Sequence, residues 1–269
     1  MVHYYTRRVS ADENEAFYYV AQGDGRYAPT RNAQGAWQET EQHMAPVAGL
    51  LVHCLERHDP RPELQWARIS FDILGMIHLE ETTVVTRTLR PGRTIELVEA
   101  TASAGGRDVV RATAWRLART DTAEVAGVEA PSMPGPDEVP VWTGMEHWGG
   151  GFISSLEFRS AETRPGRGHA WARTPVGLVD GEDSSGFARW CGLLDVANGI
   201  ANRQAPTEWL YPNVDLTLHL HRQPEGEWVG LDTSVSWGPT GAGQTSSVVH
   251  DVAGPVGTVE QSLTIRPRG

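Results

Sequence analysis

Apolar and polar residues along this chain follow two periods, and the order in which those periods alternate predicts its elements. Residues 16–22 and the segment around Tyr27 have the two-residue period of strands, with Gly23, Gly25 and Gly35 at the turns. From about Ala45 the period becomes helical. Pro46 suits the first helical position, and Val47, Leu50, Leu51, Cys54 and Leu55 share one face. Asp59-Pro60 and Arg61-Pro62 stop that helix. Strand patterns return over 65–73, 82–89, 94–103 and 109–117, turned by Arg90-Pro91-Gly92 and Gly105-Gly106. One helix followed by a run of antiparallel strands predicts an α+β fold, not an alternating α/β one.

Residues 121–140 break both patterns. Pro131, Pro134, Pro136 and Pro140 stand among acidic residues and few large apolar ones, the composition of a proline-stiffened linker. This divides the chain into 1–120 and 141–269, and the second part repeats the order of the first. There, 152–159 and 169–173 read as strands, 184–202 as a helix, and 213–222, 227–236, 244–251 and 257–265 as strands. Gly-Leu-Leu occurs on both helices, at Gly49-Leu50-Leu51 and Gly192-Leu193-Leu194, and both halves end in a strand closing on arginine. The shared order points to an internal duplication. Matching the Gly-Leu-Leu runs sets Val52 opposite Asp195, and matching the last strands on Arg116 and Arg266 sets Arg111 opposite Gln261. A single site per chain, in the second half, is the expectation.

Asp195 and Gln261 are the residues whose chemistry conflicts with their place. On the second helix Phe187, Trp190, Cys191, Leu194, Asn198 and Ala201 make the apolar face, and at about 100° per residue Asp195 falls on its edge. An ionised carboxylate there is costly unless it is paired or used, although a solvated edge residue also fits the position. On the last strand Gln261 shares a face with Val259, Leu263 and Ile265. A buried amide group left unpaired costs about 1–3 kcal/mol, so a side chain, the backbone or a water must meet it.

Composition narrows the classes. The 269 residues suit one large domain or two of about half that size. Charged residues at 21% and hydrophobic ones at 39% are ordinary for a soluble protein. A net charge of −11 argues against a nucleic-acid partner, but leaves room for a phosphorylated small molecule held by a few arginines. Cys54 and Cys191 make no metal pattern and fit buried, reduced thiols of a cytoplasmic chain. The opening MVHYYTRRVSADENE lacks the apolar stretch of a leader, and no run approaches the ~18 apolar residues of a membrane span. A soluble protein with no membrane partner is expected.

HAWARTP, the helix with GLLDVAN, NVDLTLHLHR leading to GEWVGLD, and PVGTVEQSLTIR together resemble the double-hotdog acyl-CoA thioesterases of the bacterial type II kind and related actinobacterial proteins. The second half carries these motifs; in the first the likeness is architectural. The resemblance implies a tandem hotdog, with each module a long helix wrapped by an antiparallel sheet. It further implies a homodimer or higher homo-oligomer, a role in lipid metabolism, and hydrolysis of acyl-CoA or acyl-carrier thioesters without cofactor or metal. The family's helix aspartate falls on Asp195 and its last-strand glutamine on Gln261. Its polar residue at the start of the strand after the helix falls on Asn213, where the family has a hydroxyl residue. An asparagine still donates to and accepts from water. The three would hold a water whose proton Asp195 removes, while a backbone N–H near a helix start meets the oxyanion. Strict alternation, however, groups Asn213 with Asp215, Thr217, His219 and His221, opposite Val214, Leu216, Leu218 and Leu220. A bulge after Pro212, or a polar face lining the module interface, would reconcile this.

Two further readings belong beside hydrolysis: a non-catalytic acyl-thioester-binding hotdog protein, and an enoyl-CoA hydratase or dehydratase. The latter group has a histidine five positions after its aspartate, where this chain has Ile200. His219 and His221 alternate on a strand but have no third metal ligand at clear spacing. Trp148-Gly149-Gly150-Gly151 lacks the Lys-Ser/Thr of a phosphate loop and reads as a turn. Ser154, Ser155, Ser184 and Ser185 lie in no nucleophile elbow. His43, just ahead of the first helix, reads as a cap or surface residue within possible reach of substrate.

Overall fold

The computed structural model describes residues 16–269. The opening 15 residues, placed by the sequence reading at the head of the first module, lie outside them. The first half holds β1 (Phe17–Gly23), β2 (Arg26–Pro29), α1 (Met44–Arg57), β3 (Leu64–Ile73), β4 (Thr82–Arg90), β5 (Ile95–Ala104) and β6 (Arg107–Ala118). The second begins with α2 (Gly151–Ser154), β7 (Glu157–Arg159), β8 (Thr163–Arg164), β9 (Arg167–Arg173), β10 (Gly177–Asp180), α3 (Gly186–Cys191) and α4 (Ala197–Ile200). It continues through β11 (Trp209–Leu210), β12 (Asp215–Leu220), β13 (Val229–Trp237), β14 (Ala242–Asp251), β15 (Gly254–Thr264) and β16 (Arg266–Pro267).

Among the described residues fourteen strands make one sheet. At its middle β3 pairs antiparallel with β12, Ile69 opposite Leu218. From β3 the order runs outward through β6, β5, β4, β2 and β1; from β12 it runs through β15, β14, β13, β9 and β7. The halves also interlock at the far end, where β10 of the second adds in parallel to β1 of the first. Each half curls around its own helical segment, the tandem hotdog that the resemblance implies. Helix α1 is buried from Met44 to Leu55 and packs on β4, β5 and α3. Its crossing with α3 explains the repeated Gly-Leu-Leu. A Cβ on Gly49 would stand 3.0 Å from the Cα of Gly192 and 3.0 Å from the carbonyl of Ala188, so the two matched glycines are where the helices touch. The proline-rich stretch is laid against the second half, with Trp171 Nε1 donating to the Pro134 carbonyl at 2.8 Å.

Two predicted elements differ. The helix over 184–202 is broken: α3 stops at Cys191, Gly192 caps it, and a 3-10 turn at Leu194–Val196 precedes α4. Residues 190–197 are buried all round, so no single apolar stripe holds them and the backbone turns to fit α1 and the sheet together. The strand expected over 152–159 begins instead as the one-turn helix α2. Gly150, at φ 94°, starts that turn, and a Cβ on Gly151 would lie 2.0 Å from the Arg31 carbonyl. Such close backbone packing admits only glycine at this position.

Candidate active site

Asp195 sits in the 3-10 turn at the break of the second helix, with 7% of its surface exposed. Its Oδ1 accepts from Asn213 Nδ2 at 2.7 Å and from Gln261 Nε2 at 2.8 Å. The three residues singled out in the sequence therefore meet at one oxygen. Gln261 points inward from β15 and is buried; its Oε1 has no protein partner.

A bulge brings Asn213 there. Residues Thr217, Leu218 and His219 pair with Glu260, Val259 and Thr258, but Asn213 bridges Leu263, one residue out of that register. The extra residue in this strand turns Asn213 to the side of the buried Leu216 and Leu218 and leaves Val214 exposed. Across the gap, the backbone N–H of Ser262 donates to the Asp215 carboxylate at 2.5 Å, replacing the lost ladder bond.

Burial pushes Asp195 up from its ordinary 3.8 to about 7, against the lowering effect of the hydrogen bonds from Asn213 and Gln261. His43 Nδ1 lies 3.6 Å from Asp195 Oδ2. This is not an ion pair. Burial pulls His43 down to about 3, so the ring is neutral, and its Nδ1 accepts from the Ala45 N–H at 3.1 Å as the cap of α1. Neutral, with Nδ1 an acceptor, the ring carries its proton on Nε2. Asp195 Oδ2 is left without a competing donor.

The carboxylate opens on a cleft of about 520 Å³ between the halves. The first half contributes His43, Met44 and the loop 35–38; the second contributes Asn213, Arg266 and Arg268. Glu41 pins that loop, its Oε1 accepting from the N–H groups of Trp37 and Gln38. A groove of similar size, about 530 Å³, lies beyond the loop, but its charged groups are the exposed Arg31 and Glu39. The buried carboxyl with the raised pKa lines the first. Sequence reading missed Arg266 and Arg268 as cleft residues, although the terminal Arg-Pro-Arg stood out as a strand end. It read His43 as a cap, which it is, without seeing the aspartate beside it.

Other sequence candidates stay apart from the cleft. His219 and His221 are exposed, and among the described residues no three His, Cys, Asp or Glu side chains gather as a metal site. The hydroxyls of Ser154 and Ser155 donate back to the carbonyls of Gly150 and Phe152.

A model of the acyl-CoA thioesterase C-terminal domain matches residues 129–265, and one of the acyl-CoA thioesterase N-terminal domain matches 33–117. The chain belongs to the acyl-CoA thioesterase family. This thioesterase shares its fold with a hot dog protein from Alicyclobacillus acidocaldarius at TM-score 0.71 and 14% identity, over 97% of this chain and 99% of that one. An acyl-CoA thioesterase II from Mycobacterium marinum superposes at TM-score 0.66 and 15% identity, over 97% and 98% of the two chains. A tesB protein of Mycobacterium avium subspecies paratuberculosis does so at 0.65 and 16%, over 96% and 100%. No curated protein matches the thioesterase. Among its described residues no helix is long and apolar enough to cross a membrane.

Proposed function

We propose that the thioesterase hydrolyses acyl-CoA thioesters to a free acid and CoA, using a water activated by Asp195 and oriented by Gln261 and Asn213. The observation that carries this reading is the asymmetry of the carboxylate. Oδ1 is held by two amides, which fixes the plane of the group, while Oδ2 faces His43 and the cleft without a donor. A base near 7 suits proton transfer at neutral pH. Oδ2 takes a proton from water as its oxygen bonds to the thioester carbon. When the C–S bond breaks, the proton passes to the departing sulfur, leaving acid and thiol. Gln261 Oε1, buried and unpartnered, accepts the water's second hydrogen. Helix α1 starts at the cleft; His43 occupies the Ala45 N–H and Pro46 has none, so the Met44 N–H is the donor placed for the oxyanion. Arg266 and Arg268 supply positive charge for the phosphates of CoA in an otherwise acidic protein.

The neighbouring His43 raises the question of a hydratase, where histidine is the base. Its Nε2 carries the proton and its Nδ1 is spent on the cap, so it has no lone pair to offer, and Ile200 is buried core. We further place the module boundary in residues 121–140. The buried, free thiols of Cys54 and Cys191 support a cytoplasmic setting in lipid metabolism, and the exposed Val141, which bridges Arg159 along the outer side of β7, supports a homodimer. Thiol release from acyl-CoAs by the wild type and by Asp195→Asn tests the proposal. Release that is equal in both, or hydration of an enoyl-CoA without release, refutes it.

A further inference from the structure

Asp215 lies on the strand that brings Asn213 to the site, and by alternation alone it is a solvated, outward residue. Two hydrogen bonds set it apart. Its Oδ1 accepts from the Ser262 N–H at 2.5 Å, and its main-chain carbonyl accepts from Asn213 Nδ2 at 3.1 Å.

The second bond completes the placement of Asn213. An amide nitrogen has two hydrogens to place, and Asn213 gives one to Asp195 Oδ1 at 2.7 Å and the other to the Asp215 carbonyl. Both partners accept, which fixes the end of the amide that faces them.

That carbonyl has a rival claimant. On β12 the odd-numbered residues are those that exchange bonds with β15, as His221 N–H does with the Val256 carbonyl at 3.0 Å. Continuing the register of Thr217 opposite Glu260 sets Asp215 opposite Ser262, whose N–H would then donate to the Asp215 carbonyl. The carboxylate takes that N–H instead and leaves the carbonyl to Asn213. The rest of the bend is held independently. Val214 N–H donates to the Ser262 carbonyl at 2.9 Å, Thr264 N–H to the Pro212 carbonyl at 3.0 Å, and Asn198 Nδ2 to the Tyr211 carbonyl at 2.9 Å. Loss of the Asp215 side chain therefore leaves the strand in place and returns its carbonyl to the ladder.

We infer that Asp215 is a positioning residue of the thioesterase: its side chain takes the Ser262 N–H and so frees its carbonyl to hold the Asn213 amide against Asp195. This rests on the hydrolase reading above for the part Asn213 plays in the reaction.

The test must separate this role from the charge of Asp215. Asp195 is faced by the neutral His43 from α1 and shares its cleft with Arg266 and Arg268, while Asp215 stands opposite Asp72, which pairs with Arg111 at 2.9 Å. Asp215→Ala and Asp215→Asn remove the same charge, but only asparagine keeps an oxygen for Ser262. In thiol release from an acyl-CoA, Asp215→Ala lowers kcat about tenfold with KM changed by less than about twofold, and moves the midpoint of the pH profile up by about one unit, the worth of one hydrogen bond to a charged group. Asp215→Asn stays within about threefold of the wild type, and its midpoint does not rise. In an Asn213→Ala background, Asp215→Ala adds nothing further to either quantity. Asp215→Leu, close to asparagine in size, takes the place of the alanine variant should that one fold poorly. The carbon-13 shift of the Asp195 carboxyl, followed across neutral pH, reads the same midpoint without turnover. A midpoint that moves as stated in a chain releasing no thiol from any acyl-CoA sinks the hydrolase reading and leaves the positioning role standing. Equal losses in the alanine and asparagine variants, a loss undiminished without Asn213, or a lower melting temperature with kcat and midpoint unchanged overturns it.

Discussion

Replacing Asp195 by asparagine separates catalysis from stability in one variant. The side chain keeps its shape, and its oxygen still accepts from Asn213 Nδ2 and Gln261 Nε2. What disappears is the charge, and with it the proposed base. Loss of a general base costs roughly 10²–10⁴ in rate, so kcat on any accepted acyl-CoA falls at least a hundredfold. Stability moves the other way. The folded carboxyl titrates near 7 against 3.8 in the open chain, so the fold binds this proton more tightly than the unfolded state. Between those values the unfolded chain has released the proton while the fold retains it. The stabilising term is therefore complete below pH 3.8, is lost as pH rises to about 7, and stays lost above. The difference amounts to about 4 kcal/mol at pH 8. Asparagine cannot ionise and escapes this loss. The variant should melt several degrees above the wild type at pH 8, with the gap shrinking by about half at pH 5. Thermal unfolding at both pH values, beside thiol release at pH 8, measures the two effects. A variant within threefold of wild-type turnover, or one that melts lower at pH 8, refutes the account of a buried carboxylate kept for its chemistry.

Three other outcomes follow from the same geometry. In the wild type kcat/KM should rise with pH and level off above about 7, because the ionised Asp195 is the active form; a fall across that range contradicts the assignment. Gln261→Leu removes a donor to the charged oxygen, so the midpoint of that profile should move upward and turnover drop about ten- to hundredfold; a profile moved downward is incompatible with the 2.8 Å bond. Gly49→Ala should lower thermal stability although alanine favours helices by about 1 kcal/mol, since its Cβ would press at 3.0 Å on the backbone of Ala188 and Gly192; a raised melting temperature would mean α1 and α3 separate freely.

Much of the architecture was legible because its signals are local. The strand pairs from Gln65 to Leu117 and from Val229 to Thr264 show their period and glycine turns in the letters themselves. The broken helix did not, for a helical period carries no mark of a backbone that must turn within a fully buried stretch. Gly192 and Gly199 were the available hints, and each acts through a distant partner, α1 for one and Met145 with Trp148 for the other. The aspartate and the glutamine were found because each is the wrong chemistry for its place.

Register was the harder problem, and it misled in both halves. Counting by twos put Asn213 with the polar face of its strand; one inserted residue, paid for by the Asp215 carboxylate at Ser262, reverses it. Matching the closing arginines set Arg111 opposite Gln261, yet Arg111 faces outward to Asp72 at 2.9 Å while Gln261 faces in. The inward residues beside Arg111 on β6 are Val110 and Ala112, both fully buried. Either register thus gives the first half no amide, and Val52, also fully buried, gives it no carboxylate. The asymmetry between the halves survives the error because it depends on residue type, and no shift of alignment converts valine or alanine into a group that can hold a water. In place of a second carboxylate the first half lends the cleft the start of α1, with His43 and Met44 standing across from Asp195. On the proposed mechanism the two halves divide the work: one would carry the base, the other the helix end that faces it.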